Sequence, residues 1–256
     1  MRKINEKNEN KIFSNISTAY NRFTVSRKIN EIIKNFFSKS PNKIHSLNDS
    51  IREIISLCYK SLHLFISSTP DFRVLTSSEQ ISLYQRNFPS LVCFYSIITL
   101  KDIFLYDYNP SIDLFSMIYR TDLISSMKII QCAKRFDGNF LKIMLIIFAF
   151  SSNSLTINFS NSIDQDNLLY GTHRLLGSQN FYVDFMWKYL QSKYKEKDCF
   201  LQFLHLIGLF LNLIQSIMDR FQTNNLFSLS IDCLMNSIKQ SLIKNQFEQM
   251  PLWGKF

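Results

Sequence analysis

Turn-making residues are nearly absent from this chain: its 256 residues include five glycines and five prolines. Together they make about 4% of the sequence, against about 12% in average proteins. Sandwiches, barrels and doubly wound sheets need a Gly- or Pro-marked turn every few residues, or a Gly-rich phosphate loop. That scarcity excludes them as the leading expectation. Hydrophobic residues make up 46% of the chain and aromatics 14%, far more than a solvated disordered chain carries. No linker-like stretch or internal repeat divides it. The composition predicts one large helical domain.

Periodicity agrees. Ile12, Ile16, Tyr20, Ile29, Ile32, Ile33 and Phe36 recur near every 3.6 residues, predicting a first helix over 12–38. Pro41 and Asn42 interrupt it. Asn48 or Asp49 is placed to cap a long helix reaching Ser68, striped by Ile51, Ile54, Ile55, Cys58, Leu62 and Phe65. Pro70 stops that helix. Thr76 with Glu79 three residues on is a capping box opening a helix toward Arg86. Another helix follows Pro89 to about Leu100. Alternating aromatics and Pro110 in Asp102–Asp113 predict a short hairpin. Helices are expected at 114–135, 138–150, 164–193, 197–222 and 225–245, with a polar loop over 152–163. The organisation is a basic arm and first helix over 1–44 followed by a helical domain over 45–256.

Charge is concentrated at one end. Residues 1–44 hold ten cations and three anions, so +7 of the net +9 lies there. Such a leader suits a solvated arm, an import signal or a nonspecific phosphate contact, although Glu6 and Glu9 interrupt a tight cluster. It has no apolar core of the kind a secretory signal needs. Cys58, Cys93, Cys132, Cys199 and Cys233 are scattered through apolar stretches without a CxxC pair. Buried free thiols in a reducing compartment are expected, not a zinc site. The run 140–150 is too short to span a bilayer. The run 199–218 is long enough, but Gln202, His205, Asn212 and Gln215 interrupt it, so a buried core helix is expected and no membrane partner.

Catalytic signatures are missing. His45, His63, His173 and His205 are far apart and form no HxxH or HExxH pattern. His63 and His205 fall in apolar helices and read as satisfied core histidines. There is no GxSxG, and Glu79, Asp102, Asp107, Asp113 and Asp122 include no two carboxylates paired on one apolar helix face. The expectation is a non-enzyme without cofactor or metal.

The run Phe65–Tyr84, FISSTPDFRVLTSSEQISLY, is more specific. An apolar helix end, Pro70-x-Phe72, Leu75, then Glu79-Gln80-Ile81-x-Leu83 resembles the signature of nuclear receptor ligand-binding domains. Collinear segments resemble later parts of that domain: 140–153 its eighth helix and following loop, 179–190 its ninth helix, and 200–218 its long dimer helix. The similarity spans roughly residues 12–222. It implies an all-α fold, a three-layer antiparallel sandwich of about ten to twelve helices with one small β-hairpin. It also implies a nuclear location and regulation of transcription through a small lipophilic ligand, coregulator helices and a homo- or heterodimer partner. The two zinc modules that accompany this domain need eight closely spaced thiolates, so this domain itself is expected to make no direct DNA contact.

The positions that carry over as ligand-lining are Ile51, Ile55, Cys58, Phe88, Pro89, Val92, Ser96, Thr99, Met218 and Phe221. The coregulator groove maps to Ser67, Gln80, Leu83, Gln85, Arg86, Leu252 and Trp253. Here the chain departs from the family. Ser67 stands where a clamping Lys belongs, and Gly254 or Lys255 where a clamping Glu belongs. Thr99 replaces an Arg that anchors acidic ligands, which disfavours a carboxylate ligand. Because the lining side chains are bulky, an open pocket and a filled one acting only as a dimerisation module both fit the sequence, and an unrelated helical scaffold is the third reading.

Overall fold

The computed structural model describes residues 2–38, 44–104, 131, 133–151, 172–221, 233, 236, 237 and 240. Every element among them is a helix, and no strand occurs. The helices are α1 (Arg2–Phe23), α2 (Ser26–Ser38), α3 (Ile44–Ser67), α4 (Pro70–Arg73), α5 (Ser77–Phe104), α6 (Gly138–Ala149), α7 (Thr172–Lys193) and α8 (Glu196–Phe221).

Two helices are covered almost all round. Every residue of α5 from Ser90 to Leu100 is buried, and so is every residue from Phe140 to Phe150 except Lys142. A helix with no polar face must be enclosed by others. Accordingly α5 packs against α2, α3, α6 and α8, while α6 packs against α1, α5 and α7. Phe148 of α6 stacks on Phe210 of α8 at 3.7 Å between ring centroids, and Phe94 of α5 meets both edge-on at 5.6 Å. Those three rings join three helices at one point, in the offset and edge-to-face arrangements that aromatic quadrupoles favour.

Several boundaries differ from expectation. The first helix begins at Arg2 and is divided at Thr24 and Val25. Thr24 N–H still donates to the Tyr20 carbonyl at 2.8 Å and Ile29 N–H to the Val25 carbonyl at 2.9 Å, so backbone bonding continues on both sides of the break, where the Thr24 and Ser26 hydroxyls pair at 2.9 Å. Pro89 does not separate two helices. Its missing N–H costs about 3 kcal/mol in an isolated helix, and the continuous burial that follows it offsets that loss within α5. This helix also runs through Asp102 and Phe104, so the expected hairpin does not begin at Asp102. The rest of that hairpin and the 152–163 loop lie outside the described residues.

The 199–218 run is not a core helix buried all round. Phe200, Leu201, Leu204 and Leu211 are exposed among the described residues, where α8 packs mainly against α5 and α7. His205 is exposed on the same face, not a core histidine. No helix among the described residues is long and apolar enough to cross a membrane. Cys58, Cys93 and Cys199 are buried free thiols as expected; Cys233 is free but exposed, and Cys132 lies outside the described residues.

Candidate functional site

The segment joining α3 to α5 is built on side-chain caps. Thr69 caps α4, accepting from Phe72 N–H at 3.3 Å, with Pro70 at the first helical position where its missing N–H is harmless. Phe72 is buried and meets Tyr84 edge-on at 5.1 Å. The Thr76–Glu79 capping box forms reciprocally: Thr76 N–H donates to Glu79 Oε2 at 2.7 Å and Glu79 N–H to Thr76 Oγ1 at 3.3 Å. Gln80 Nε2 donates to the carbonyls of Phe72 and Leu75, at 3.0 and 3.2 Å. Asp71 accepts from Ser178 and Tyr182 of α7, both at 2.8 Å, fastening α4 to α7.

Behind this turn lies a buried polar cluster. The Tyr84 hydroxyl is 2.8 Å from both His63 Nδ1 and Ser67 Oγ. Burial lowers the His63 pKa to about 4, so the ring is neutral. Arg73 Nε donates to the Ser67 carbonyl at 3.1 Å, placing a cation at the C-terminal end of α3 where the helix dipole favours one. A second cluster joins α1, α3 and α5. Ser61 pairs with the Tyr95 hydroxyl and donates to the Phe23 carbonyl, and Tyr20 donates to Asp102 at 3.1 Å. Burial raises the Asp102 carboxyl above its ordinary range, against the lowering effects of Tyr20, Lys142 and Lys101.

The positions expected to line a ligand on α3 and α5 are mostly buried, and Cys58 and Ser96 meet between the two helices. Ile55, Cys58, Val92, Ser96 and Thr99 are buried and Ile51 is partly so. Cys58 interacts with the Ser96 hydroxyl, yet burial still pushes its thiol up to about 12. It is therefore a thiol and not a nucleophilic thiolate. Ser96 Oγ donates to the Val92 carbonyl at 2.8 Å within its own helix. Phe88 and Pro89 belong to α5 and Met218 and Phe221 to α8; their side chains lie outside the described residues.

The positions expected to form a coregulator groove are described in part. Ser67 and Leu83 are buried, Gln80 is committed to two carbonyls, and Arg86 is partly buried. The Gln85 side chain and Leu252 and Trp253 lie outside the described residues. No cluster of three or more His, Cys, Asp or Glu suited to a metal ion occurs among the described residues.

Sequence reading missed two ties. Asp137 caps α6 through Asn139 and Phe140 N–H, accepts from the Tyr189 hydroxyl at 2.5 Å and pairs with Lys193 at 2.8 Å. An Asp directly before an apolar helical run is a readable cap, but its partners on α7 are 52 and 56 residues away. Asn87 of α5 donates to the Ala149 and Ser151 carbonyls at the end of α6, and nothing local in the sequence announces that. Neither a protein-family model nor a curated protein sequence matches this chain.

Proposed function

We propose that the chain is a divergent ligand-binding domain of the nuclear receptor type, which regulates transcription by binding a small lipophilic ligand together with coregulator and dimer partners. In this reading the helices form a three-layer sandwich with one small hairpin, and the protein works in the nucleus. The observation that carries it is the Phe65–Tyr84 turn. Its signature residues have interlocking structural jobs: Pro70 opens α4, Phe72 is buried, Glu79 closes the capping box and Gln80 ties back to Phe72 and Leu75.

The chemistry of the lining positions narrows the ligand. Cys58, Ser96 and Thr99 offer a thiol and hydroxyls, and none of the described lining residues is charged. A neutral apolar ligand with at most a hydroxyl or carbonyl fits them; a carboxylate does not. The clamp charges are absent at Ser67 and near the C-terminus, so ordinary coactivator helices bind weakly and other partner helices are favoured. The second reading, a ligandless dimerisation module with a filled interior, draws on the dense burial of these positions and on Ser96 being bonded within its own helix. Thermal unfolding in the presence of a panel of sterols, fatty alcohols and fatty acids separates the two. A ligand held only by the native state must raise the melting temperature, by several degrees at about 100 Kd. We expect neutral lipids to do so and free fatty acids not to. No response to any lipid favours the filled module.

A further inference from the structure

The basic N-terminal residues fold into the body of the protein. Helix α1 packs on α3 and α6, and α2 on α3 and α5, burying Ile16, Ala19, Tyr20, Ile29 and Ile33. Their cations are thereby fixed on the outside of the α1–α2 corner instead of trailing on a solvated arm. Lys11, Arg22, Arg27 and Lys28 are exposed, and every other exposed residue from Asn10 to Lys28 is an Asn, Ser or Thr. No carboxylate side chain occurs between Glu9 and Glu31. Among the described residues, none lies within ion-pair distance of Lys11, Arg27 or Lys28. Residues 45–256 carry 19 cations against 17 anions, too near balance to neutralise the surplus of the first 44. None of the large apolar side chains exposed among the described residues belongs to α1, α2 or α3.

We infer that this corner binds the phosphate backbone of a nucleic-acid duplex without reading its sequence. Phosphate and sugar contacts come from Arg and Lys and from Ser, Thr and Asn side chains, the residue types exposed here. Lys11 and Arg22 stand at the two ends of the exposed stripe of α1. At 1.5 Å per residue they are about 16 Å apart along the axis, which spans about five phosphates of one strand. An anionic membrane also presents phosphates, but a surface helix holds a membrane by inserting apolar side chains, and those of α1 and α2 are turned into the core. Single strands are held by stacking on exposed rings, which the described residues of this corner do not offer. The expectation of no direct DNA contact concerned the absent zinc modules, and a backbone contact needs none. The inference goes beyond the receptor-type reading and does not depend on it.

The test is fluorescence anisotropy of a labelled random-sequence DNA duplex of about 20 base pairs, titrated with the whole chain between about 50 and 200 mM salt. Phosphate contacts from the four exposed cations give a slope of log affinity on log salt of about −3.6, so affinity should fall about a hundredfold across that range. Arg27→Gln with Lys28→Gln should weaken binding at least about tenfold at the lower salt and reduce the slope by about two. The same change at Lys195 and Lys197, exposed at the start of α8, should leave both nearly unchanged. Lys11→Gln with Arg22→Gln repeats the test if far-ultraviolet circular dichroism shows that the first pair fails to fold. No binding at the lower salt overturns the inference. An equal loss from the Lys195 and Lys197 pair also overturns it, by assigning the binding to net charge alone. Vesicles of about one-third phosphatidylserine that displace the duplex at equal phosphate overturn it too, in favour of a membrane. None of these outcomes touches lipid-dependent melting, which tests the receptor-type reading separately.

Discussion

His63 shows how one buried residue couples the α3–α5 turn to solution conditions. Its ring is 8% exposed and sits against Tyr84 and Ser67, and burial holds its pKa near 4. In the unfolded chain a histidine titrates near 6.5. Below that pH the unfolded state takes up a proton that the folded state refuses. The stability associated with a neutral His63 is complete above about 6.5 and is lost progressively as pH falls toward 4, amounting to about 3 kcal/mol. Chemical denaturation between pH 7 and 4 should show this decline, and His63→Gln should flatten it. An equally steep decline in the variant would assign the effect to other groups. Asp137 behaves in the opposite sense. Burial pushes its carboxyl up, but Lys193, Tyr189 and the N–H groups of Asn139 and Phe140 together outweigh burial and bring it down to about 2. Its contribution is present above the ordinary carboxylate range and disappears as pH falls through about 2.

At the scale of elements, Asp137 is the joint between α6 and α7. Asp137→Ala should destabilise the protein by about 1–2 kcal/mol at pH 7, through the lost cap and the lost tie to α7. Asp137→Asn should cost less, because an amide oxygen still caps α6 while the ion pair with Lys193 is gone. Urea unfolding of both variants measures the difference, and equal losses would mean that the cap contributes nothing of its own. The same joint marks what the sequence made legible. Caps, breakers and stripes placed α3, the α5 start, α6, α7 and α8, since each depends on neighbours in sequence. Local signals failed where tertiary burial decided. Pro89 reads as a break, yet the enclosed run from Ser90 to Leu100 keeps α5 whole. The apolar 199–218 run reads as buried all round, yet Phe200, Leu201, Leu204 and Leu211 are exposed among the described residues. Periodicity records that a face is apolar and is silent on what faces it.

For the whole molecule, scarcity of glycine and abundance of phenylalanine amount to one design: long helices stacked around α5 and α6, with rings such as Phe94, Phe148 and Phe210 at the crossings. The interior is not uniformly greasy. Tyr20, Ser61, His63, Ser67, Tyr84 and Tyr95 bring hydroxyls and one imidazole into it, and their hydrogen bonds fix how α1, α3 and α5 meet. The caps of the Phe65–Tyr84 turn were readable because their residues are sequence neighbours with fixed structural jobs. The lining positions were not readable in the same way, because an open cavity and a filled core call for the same apolar residue types.

Native mass spectrometry of the purified chain addresses that ambiguity most directly. The receptor-type account predicts a folded species heavier than the polypeptide by the mass of a neutral lipid, lost when the protein is unfolded. Bare polypeptide mass from every preparation, with no added neutral lipid retained, would contradict it.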